Sequence, residues 1–445
     1  MFIRDSFNAE DSCDTMVALG DATKSGQVLF AKNSDRPQEE CQPLVMRVRT
    51  EHIVGDAGCQ FVDVPQARVT YRHVGSRPYW CAGYEHGFNE HQVVIGNEAL
   101  PSKLGPAREL KLIGMELLRL GLERSETAAE AVDVMTGLVE QYGQGKFEND
   151  AGVRTYDNSF IVADPREAYI IEAVGHDWAV KRVDRFATIS NVGMLNKDAT
   201  RVSAGAKTRA ARAGLFEMGF GDRFEFAKAF ADIDSSESGK ARQCRSNALV
   251  GQREGSLDAA TMMKVLADHS DAANPGEPFV EDVRGPVSLC VHRTEAPNPG
   301  VSAASLVADL CGNGERLPVY WCGLYSPCMT LFYPVFVEGY LPETLSLGGA
   351  EPSDDSPWWL FYRLTHDGLR GGRERRAEIR NAWKPLQAEL LESAYTVATL
   401  GNELIDAGRE DEAATILTEY MSENVRRMLD TARGLLSRAT PTGAG

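Results

Sequence analysis

Two features near the start of the chain could do covalent chemistry together. One is the thiol of Cys13; the other is the run Lys32-Asn-Ser-Asp35, which carries an ammonium and a carboxylate. A thiolate is a strong nucleophile near neutral pH. If the Ser12–Cys13 peptide bond is cut, Cys13 also gains a free α-amino group, whose ordinary pKa of about 8 suits it to take the thiol proton. Such a centre needs no histidine. It needs a carboxylate to hold the amine, a cation or amide donors to stabilise developing charge, and an oxyanion hole. Asp35 and Lys32 are candidates for the first two roles.

The element that must bring these groups together is a hairpin. The apolar run Cys13-Asp-Thr-Met-Val-Ala-Leu19 is followed by a polar turn at Asp21-Ala-Thr-Lys-Ser-Gly26 and a second run, Gln27-Val-Leu-Phe-Ala-Lys-Asn-Ser-Asp35. Two such runs around a Gly-bearing turn predict paired strands, which places Cys13 beside the Lys32–Asp35 end of the second strand. On the hairpin alone, a small buried hydrophobe remains the commoner role for such a cysteine.

Composition narrows the rest. The chain has 445 residues, room for one large domain with an appendage or for two to three domains. A formal net charge of −17 with no basic patch argues against nucleic acid and against an anionic membrane surface. No apolar run is long enough to cross a bilayer, and the acid-bearing residues 1–12 do not resemble a signal peptide. Nine scattered cysteines fit reduced thiols in a cytoplasmic protein better than a disulfide framework.

Along the chain, short extended runs occupy 44–99, with Gly83-Tyr-Glu-His-Gly-Phe-Asn-Glu-His91 as a loop between them. Pro106 opens a predicted helix through Leu110, Ile113, Leu117 and Leu120. Thr127-Ala-Ala-Glu130 is a capping box for a second helix, closed at Gly143-Gln-Gly145. A strand meander is predicted at 158–164, 168–174, 177–180 and 186–191, then helices near 204–218, 223–232 and 257–268. Strands follow at 287–292, 303–308 and 318–322. Elements in blocks argue for an α+β fold with antiparallel sheets. Residues 341–356, rich in Gly, Pro and Ser, read as a linker, and an amphipathic helical extension follows over 357–445, packing on the core or forming a homo-oligomer interface.

Taken in order, several segments resemble the secernin/dipeptidase family of N-terminal-nucleophile hydrolases, related to penicillin V acylases and bile salt hydrolases. They are Cys13-Asp-Thr-Met-Val-Ala-Leu, Phe30-Ala-Lys-Asn-Ser-Asp-Arg36, Gly87-Phe-Asn-Glu-His91 and Ile95-Gly-Asn-Glu98, then Leu120-Gly-Leu-Glu-Arg124, Tyr142-Gly-Gln-Gly145, Asn158-Ser-Phe-Ile-Val-Ala-Asp164 and Ile189-Ser-Asn191. The secernin branch is most similar, through Lys-Asn-Ser-Asp-Arg, Ile-Gly-Asn-Glu and Tyr-Gly-Gln-Gly. The resemblance covers roughly 13–340 and implies a four-layer αββα sandwich over 13–340, with 1–12 as a leader removed by autoproteolysis.

By that resemblance Cys13 is the nucleophile and Asp35 the acid that binds its amine. Asn97 supplies an oxyanion-hole side chain, and Asn191 contacts the α-amino group and the substrate. Lys32 stands where the acylases carry arginine, keeping the charge without the bidentate fork. A later arginine of the site is left open among Arg209, Arg212, Arg242 and Arg245. The implied activity is cleavage of a small, dipeptide-like amide, with no metal or organic cofactor. An acylase acting on N-acyl amino acids, or a non-catalytic regulatory protein on the same fold, is the alternative. Structural readings stand beside these: Asp35 as a turn cap, Asn97 and Asn191 as turn residues, and Glu172 as a hydrogen-bonded buried acid. His86 and His91 have no third ligand spaced for zinc. Cys322 and Cys328 lack a Cys-x-x-Cys spacing, lie in an apolar run and read as core.

Overall fold

A computed structural model describes residues 12–104, 109–145, 147–149, 152–154, 157–217, 223–234, 236–269, 287–292 and 300–438. Two antiparallel sheets dominate. The first has six strands in the spatial order Phe186–Ile189, Asp14–Ala18, Leu29–Pro37, Gly300–Asp309, Val319–Leu324 and Tyr333–Val335. The second has eight, running from Arg201–Val202 through Asp177–Arg182, Ala168–Val174, Asp157–Ala163, Val94–Leu100, His86–Asn89 and His73–Ser76 to Leu44–Arg47.

Burial explains why the strands stack. All ten residues of Gly300–Asp309 and all seven of Val94–Leu100 are buried. An antiparallel strand with one face in water alternates; strands buried throughout need cover on both faces. The sheets face one another. The second is covered outside by helices Gly114–Arg124 and Ala128–Tyr142, and the first by Glu237–Gly251, Ala259–Leu266 and the helices that follow 357. This is the expected αββα layering, and the α+β class with it.

The hairpin forms as expected, with Asp14 opposite Asn33 and Ala18 opposite Leu29. Thr127 caps its helix by accepting from the Glu130 amide, and Gly143 ends that helix at a φ of 70°. The three C-terminal helices, Pro357–Arg370, Gly372–Asp406 and Glu410–Ser437, share one apolar cluster with Met16, Phe30 and Trp321 through Trp358, Trp383 and Leu417.

Several expectations need correction. The helix predicted from Pro106 begins at Gly114, and 105–108 lie outside the described residues. Leu112 instead bridges to Gln144, with its carbonyl accepting from Gly145 N at 3.1 Å, so extended backbone precedes the helix. The fourth strand of the meander leaves its neighbours and pairs with the first strand, Ile189 opposite Thr15. Residues 287–292 are not a strand: the amides of Leu289 and Cys290 both donate to Asp268 O, and only His292 bridges to Val301. The helices expected at 204–218, 223–232 and 257–268 are shorter, and Glu237–Gly251 was not foreseen. The leader lies almost wholly outside the described residues, which begin at Ser12.

Candidate active site

Cys13 is 4 % exposed, at the start of the first strand. Pairing of Asp14 with Asn33 sets Cys13 beside Ser34 and Asp35. The Asp35 amide donates to Cys13 Sγ at 3.4 Å. Cys13 N donates to Asn191 Oδ1 at 2.8 Å, and Cys13 O accepts from Arg242 Nη1 at 3.0 Å and Ser190 Oγ at 3.3 Å. Three segments, far apart in sequence, thus converge on one residue.

Asn191 follows the strand that crosses into the first sheet, and its Nδ2 donates to Ala99 O of the second sheet at 2.8 Å. It therefore ties both sheets to Cys13. Its loop is held by Glu172, whose Oε1 accepts from the amides of Met194 and Leu195, so the structural reading of Glu172 holds. Arg242 completes the set. Its Nη1 also reaches Asp14 Oδ2 at 2.9 Å and its Nη2 reaches Asn191 Oδ1 at 2.8 Å. Of the other arginines left open, Arg209 pairs with Asp177, Arg245 pairs with Asp268, and Arg212 is exposed.

Strand alternation separates Lys32 from Asp35. Asp35 accepts from Ser302 Oγ at 2.5 Å and from Ser12 Oγ at 3.1 Å. Lys32 points between the sheets, where its Nζ donates to Asn97 O and lies 3.6 Å from Glu98 Oε1. Gly96 makes room for it: a Cβ there would sit 2.6 Å from Lys32 Cδ. The Asn97 side chain, with its amide turned so that the nitrogen donates, meets Glu85 Oε2 at 3.0 Å and Glu85 O at 2.8 Å. The backbone carbonyl of Asn97, rather than its side-chain amide, is what meets Lys32.

Burial sets the electrostatics. It pushes the Cys13 thiol far up, and the nearby Lys32 ammonium only partly offsets this. Asp35 is raised to about 7, by burial first and then by the neighbouring Asp14, against the bonds from Ser302 and Ser12 and the charge of Arg242. Glu98 is also raised to about 7, mainly by burial, with Lys32 opposing. Burial works against the charge on Lys32, but Cys13, Glu98, Glu85 and Asp35 outweigh it and hold the ammonium above its ordinary value. With Ser12 still attached, Cys13 is a protonated thiol beside a fixed cation.

The helix carrying Arg242 hid from sequence reasoning because its inward face is Gly239, Arg242, Ser246, Leu249 and Val250. Three of those five residues are polar or bare, so the apolar period that marks a helix is missing. Gly239 has its own geometric reason: a Cβ there would stand 2.6 Å from Asn191 O, so only glycine lets the helix come this close. Helical spacing within Gly-Lys-Ala-Arg242 was the available signal.

His86 and His91 do not converge. His86 is buried and held well below its ordinary value by burial and by Lys32, whereas His91 meets the Tyr71 ring edge-on. Cys322 is core, as expected; Cys328 is buried beside His269, Cys290 and His292. Among the described residues no helix is long and apolar enough to cross a membrane.

The chain is similar to known proteins at two levels. In structure it is similar to a conjugated bile acid hydrolase from Clostridium perfringens, with 12 % identity, a TM-score of 0.42 and coverage of 70 % of this chain and 89 % of that one. For a penicillin V acylase from Agrobacterium tumefaciens the values are 13 % identity, a TM-score of 0.43 and coverage of 73 % and 86 %. In sequence, the model of peptidase family C69 matches residues 12–254, more than half of the chain and beginning one residue before Cys13. The chain belongs to peptidase family C69.

Proposed function

We propose that this protein is a cysteine-nucleophile amidohydrolase that cleaves small, dipeptide-like amides after the Ser12–Cys13 bond is cut. The observation that carries the reading is the convergence on Cys13: Asn191 holds its nitrogen, Arg242 its carbonyl oxygen and the Asp35 amide its sulfur. This is the preorganisation a reacting group needs.

Maturation would run through the same atoms. The Cys13 sulfur gives up its proton and adds to the Ser12 carbonyl carbon; the C–N bond breaks as the nitrogen takes up that proton, and the acyl group stays on sulfur as a thioester, leaving a free amine on Cys13. Water then cleaves the thioester, releasing residues 1–12 with a new carboxylate and restoring the thiol. Asn191 Oδ1, which now accepts from an amide, would accept from the new amine. Departure of Ser12 would also free the Asp35 oxygen that it occupies. In the mature enzyme the amine takes the thiol proton, the sulfur attacks a substrate amide, and the leaving amine takes that proton back. Lys32 would stabilise the thiolate through the field of its buried charge, and Asn97 would act at the oxyanion, by its amide or by positioning Lys32 through its carbonyl. The nine reduced cysteines support a reducing, cytoplasmic setting.

Intact-mass analysis of purified protein tests the proposal. Residues 1–12 should be missing from the wild type and retained in Cys13→Ala, and a dipeptide panel should be hydrolysed only by the former. A wild-type chain that stays full-length and resists a thiol-directed probe at Cys13 would overturn it.

A further inference from the structure

Behind Asp35, on the helix side of the first sheet, two thiols and two imidazoles meet. One ligand atom from each of His269, Cys290, His292 and Cys328 lies within 4.8 Å of every other. The Nε2 atoms of His269 and His292 are 3.1 Å apart, with the rings at 84°. A tetrahedral ion with bonds of about 2.0–2.3 Å to nitrogen and sulfur needs ligand atoms roughly 3.3–3.8 Å apart. The two nitrogens, at 3.1 Å, stand slightly inside that spacing, and the remaining gaps close with shifts of about 1 Å.

Three separate segments supply the four groups: the turn after helix Ala259–Leu266, the stretch 287–292, and the turn after strand Val319–Leu324. Each is anchored. Leu289 N and Cys290 N donate to Asp268 O, Met329 N donates to Ser326 O, and Trp383 Nε1 donates to Met329 O. A cavity of about 270 Å³, lined among others by Asp268, His269, Cys328 and Trp383, reaches two of the four groups and gives an ion a route in. Two buried thiols and two half-buried imidazoles converging here are poorly suited to a plain apolar core, because each brings a polar atom out of full contact with water.

We propose that His269, Cys290, His292 and Cys328 form a closed Cys2His2 site for a zinc-like divalent ion. Thiolate and imidazole ligands in tetrahedral array favour that ion class. On binding, both thiols release their protons, and both imidazoles bind as neutral rings with the N–H on Nδ1. A proton lying between the two Nε2 atoms would have to move, which a change of tautomer to Nδ1–H achieves. Four protein ligands leave no open position, so the ion fastens structure and takes no part in chemistry. What it would fasten is close to Asp35: Val291, between two ligands, exchanges bonds with Ser302 (Val291 N to Ser302 Oγ 3.0 Å, Ser302 N to Val291 O 2.7 Å), and Ser302 Oγ donates to Asp35.

Cobalt(II) titration of the purified, chelator-treated, reduced protein tests this. One equivalent should bind, giving thiolate-to-cobalt charge transfer and the intense visible bands of a tetrahedral site, and zinc should bleach both. The charge-transfer band should survive Cys13→Ala and vanish in Cys290→Ser/Cys328→Ser. His292→Gln, which keeps both thiols, should weaken cobalt binding at least about tenfold, with circular dichroism reporting that each variant is folded. Absence of a stoichiometric band in the wild type would overturn the proposal. So would a band that follows Cys13, or a wild-type mass two hydrogens low that reveals a Cys290–Cys328 disulfide in place of ligands.

Discussion

The two thiol centres of this chain are built from different neighbours. Around Cys13 stand a carboxylate, a guanidinium, two amides and a buried ammonium, and none of its hydrogen-bond partners is an imidazole. Around Cys290 and Cys328 stand two imidazoles. A histidine beside a thiol is the usual arrangement for activating it, yet the pair with histidines lies off the hairpin, in the turns and short segments behind it. The difference teaches that reactivity is set by what can change protonation near the thiol. Among the described residues no imidazole bonds to Cys13, and in the proposed function its base is the α-amine that appears when Ser12 leaves.

The largest effect should come from Cys13→Ala. Loss of the sulfur should abolish dipeptide hydrolysis and stop leader removal, whereas alanine at exposed Cys244 should leave both unchanged. Mass spectrometry and a hydrolysis assay read the two together. If Cys13→Ala still loses its leader, the α-amine account of this centre fails.

Next in size is Arg242→Lys. The guanidinium joins Cys13 O, Asp14 Oδ2 and Asn191 Oδ1 through two nitrogens. A lysine keeps the charge but has one nitrogen and cannot span all three. Loss of one or two charge-assisted bonds, each worth about 1.5–3 kcal/mol, should slow leader removal by roughly 10- to 10,000-fold. A change under threefold would mean that Arg242 only fills space.

This contrast also marks where sequence reasoning reached. The hairpin that sets Cys13 beside Asp35 was legible because a Gly-bearing turn pairs two apolar runs, whereas Asn191 was reached only through the family resemblance. The α+β class with antiparallel sheets was legible from blocks of strands and helices, and the four layers only through the resemblance. Arg242 was one of four arginines, because its helix buries Gly239, Arg242 and Ser246 where the eye seeks leucines. The Cys2His2 cluster was invisible for another reason: its members are separated by 21, 2 and 36 positions, counted from His269 to Cys290, His292 and Cys328, and only the stacking of three turns on the first sheet unites them. Crossing of Phe186–Ile189 between sheets likewise depends on which edge is open, a tertiary fact with no local signal.

A third outcome sharpens the electrostatic side of the comparison. Asp35 is raised to about 7 in the chain that still carries Ser12. If maturation needs Asp35 as a carboxylate, the rate of leader removal should rise with pH through about 7 and fall about tenfold per unit below it. Time courses of intact mass from pH 5.5 to 8.5 measure it. A rate that is flat across that range would remove Asp35 from the step.

The smallest effect separates support from chemistry. Glu172 accepts from two loop amides beside Asn191 and is raised to about 7 by burial, which those bonds only partly offset. A carboxyl with a raised folded pKa holds a proton that the unfolded chain has released above about 4.3. The folded state therefore binds more protons between the two values, and stability falls as pH rises from about 4.3 to about 7, by at most roughly 1.4 kcal/mol per unit for this one group. Both loop amides donate to the same oxygen, Oε1, so Glu172→Gln can keep both bonds through its single carbonyl oxygen while losing the charge. The variant should then lose part of the downward slope of melting temperature against pH and be relatively more stable at pH 7.5 than at pH 5. The pH dependence of leader removal should stay that of the wild type. If the substitution moves the rate profile and not the melting slope, Glu172 belongs to the chemistry of Cys13 and not to the frame that holds Asn191.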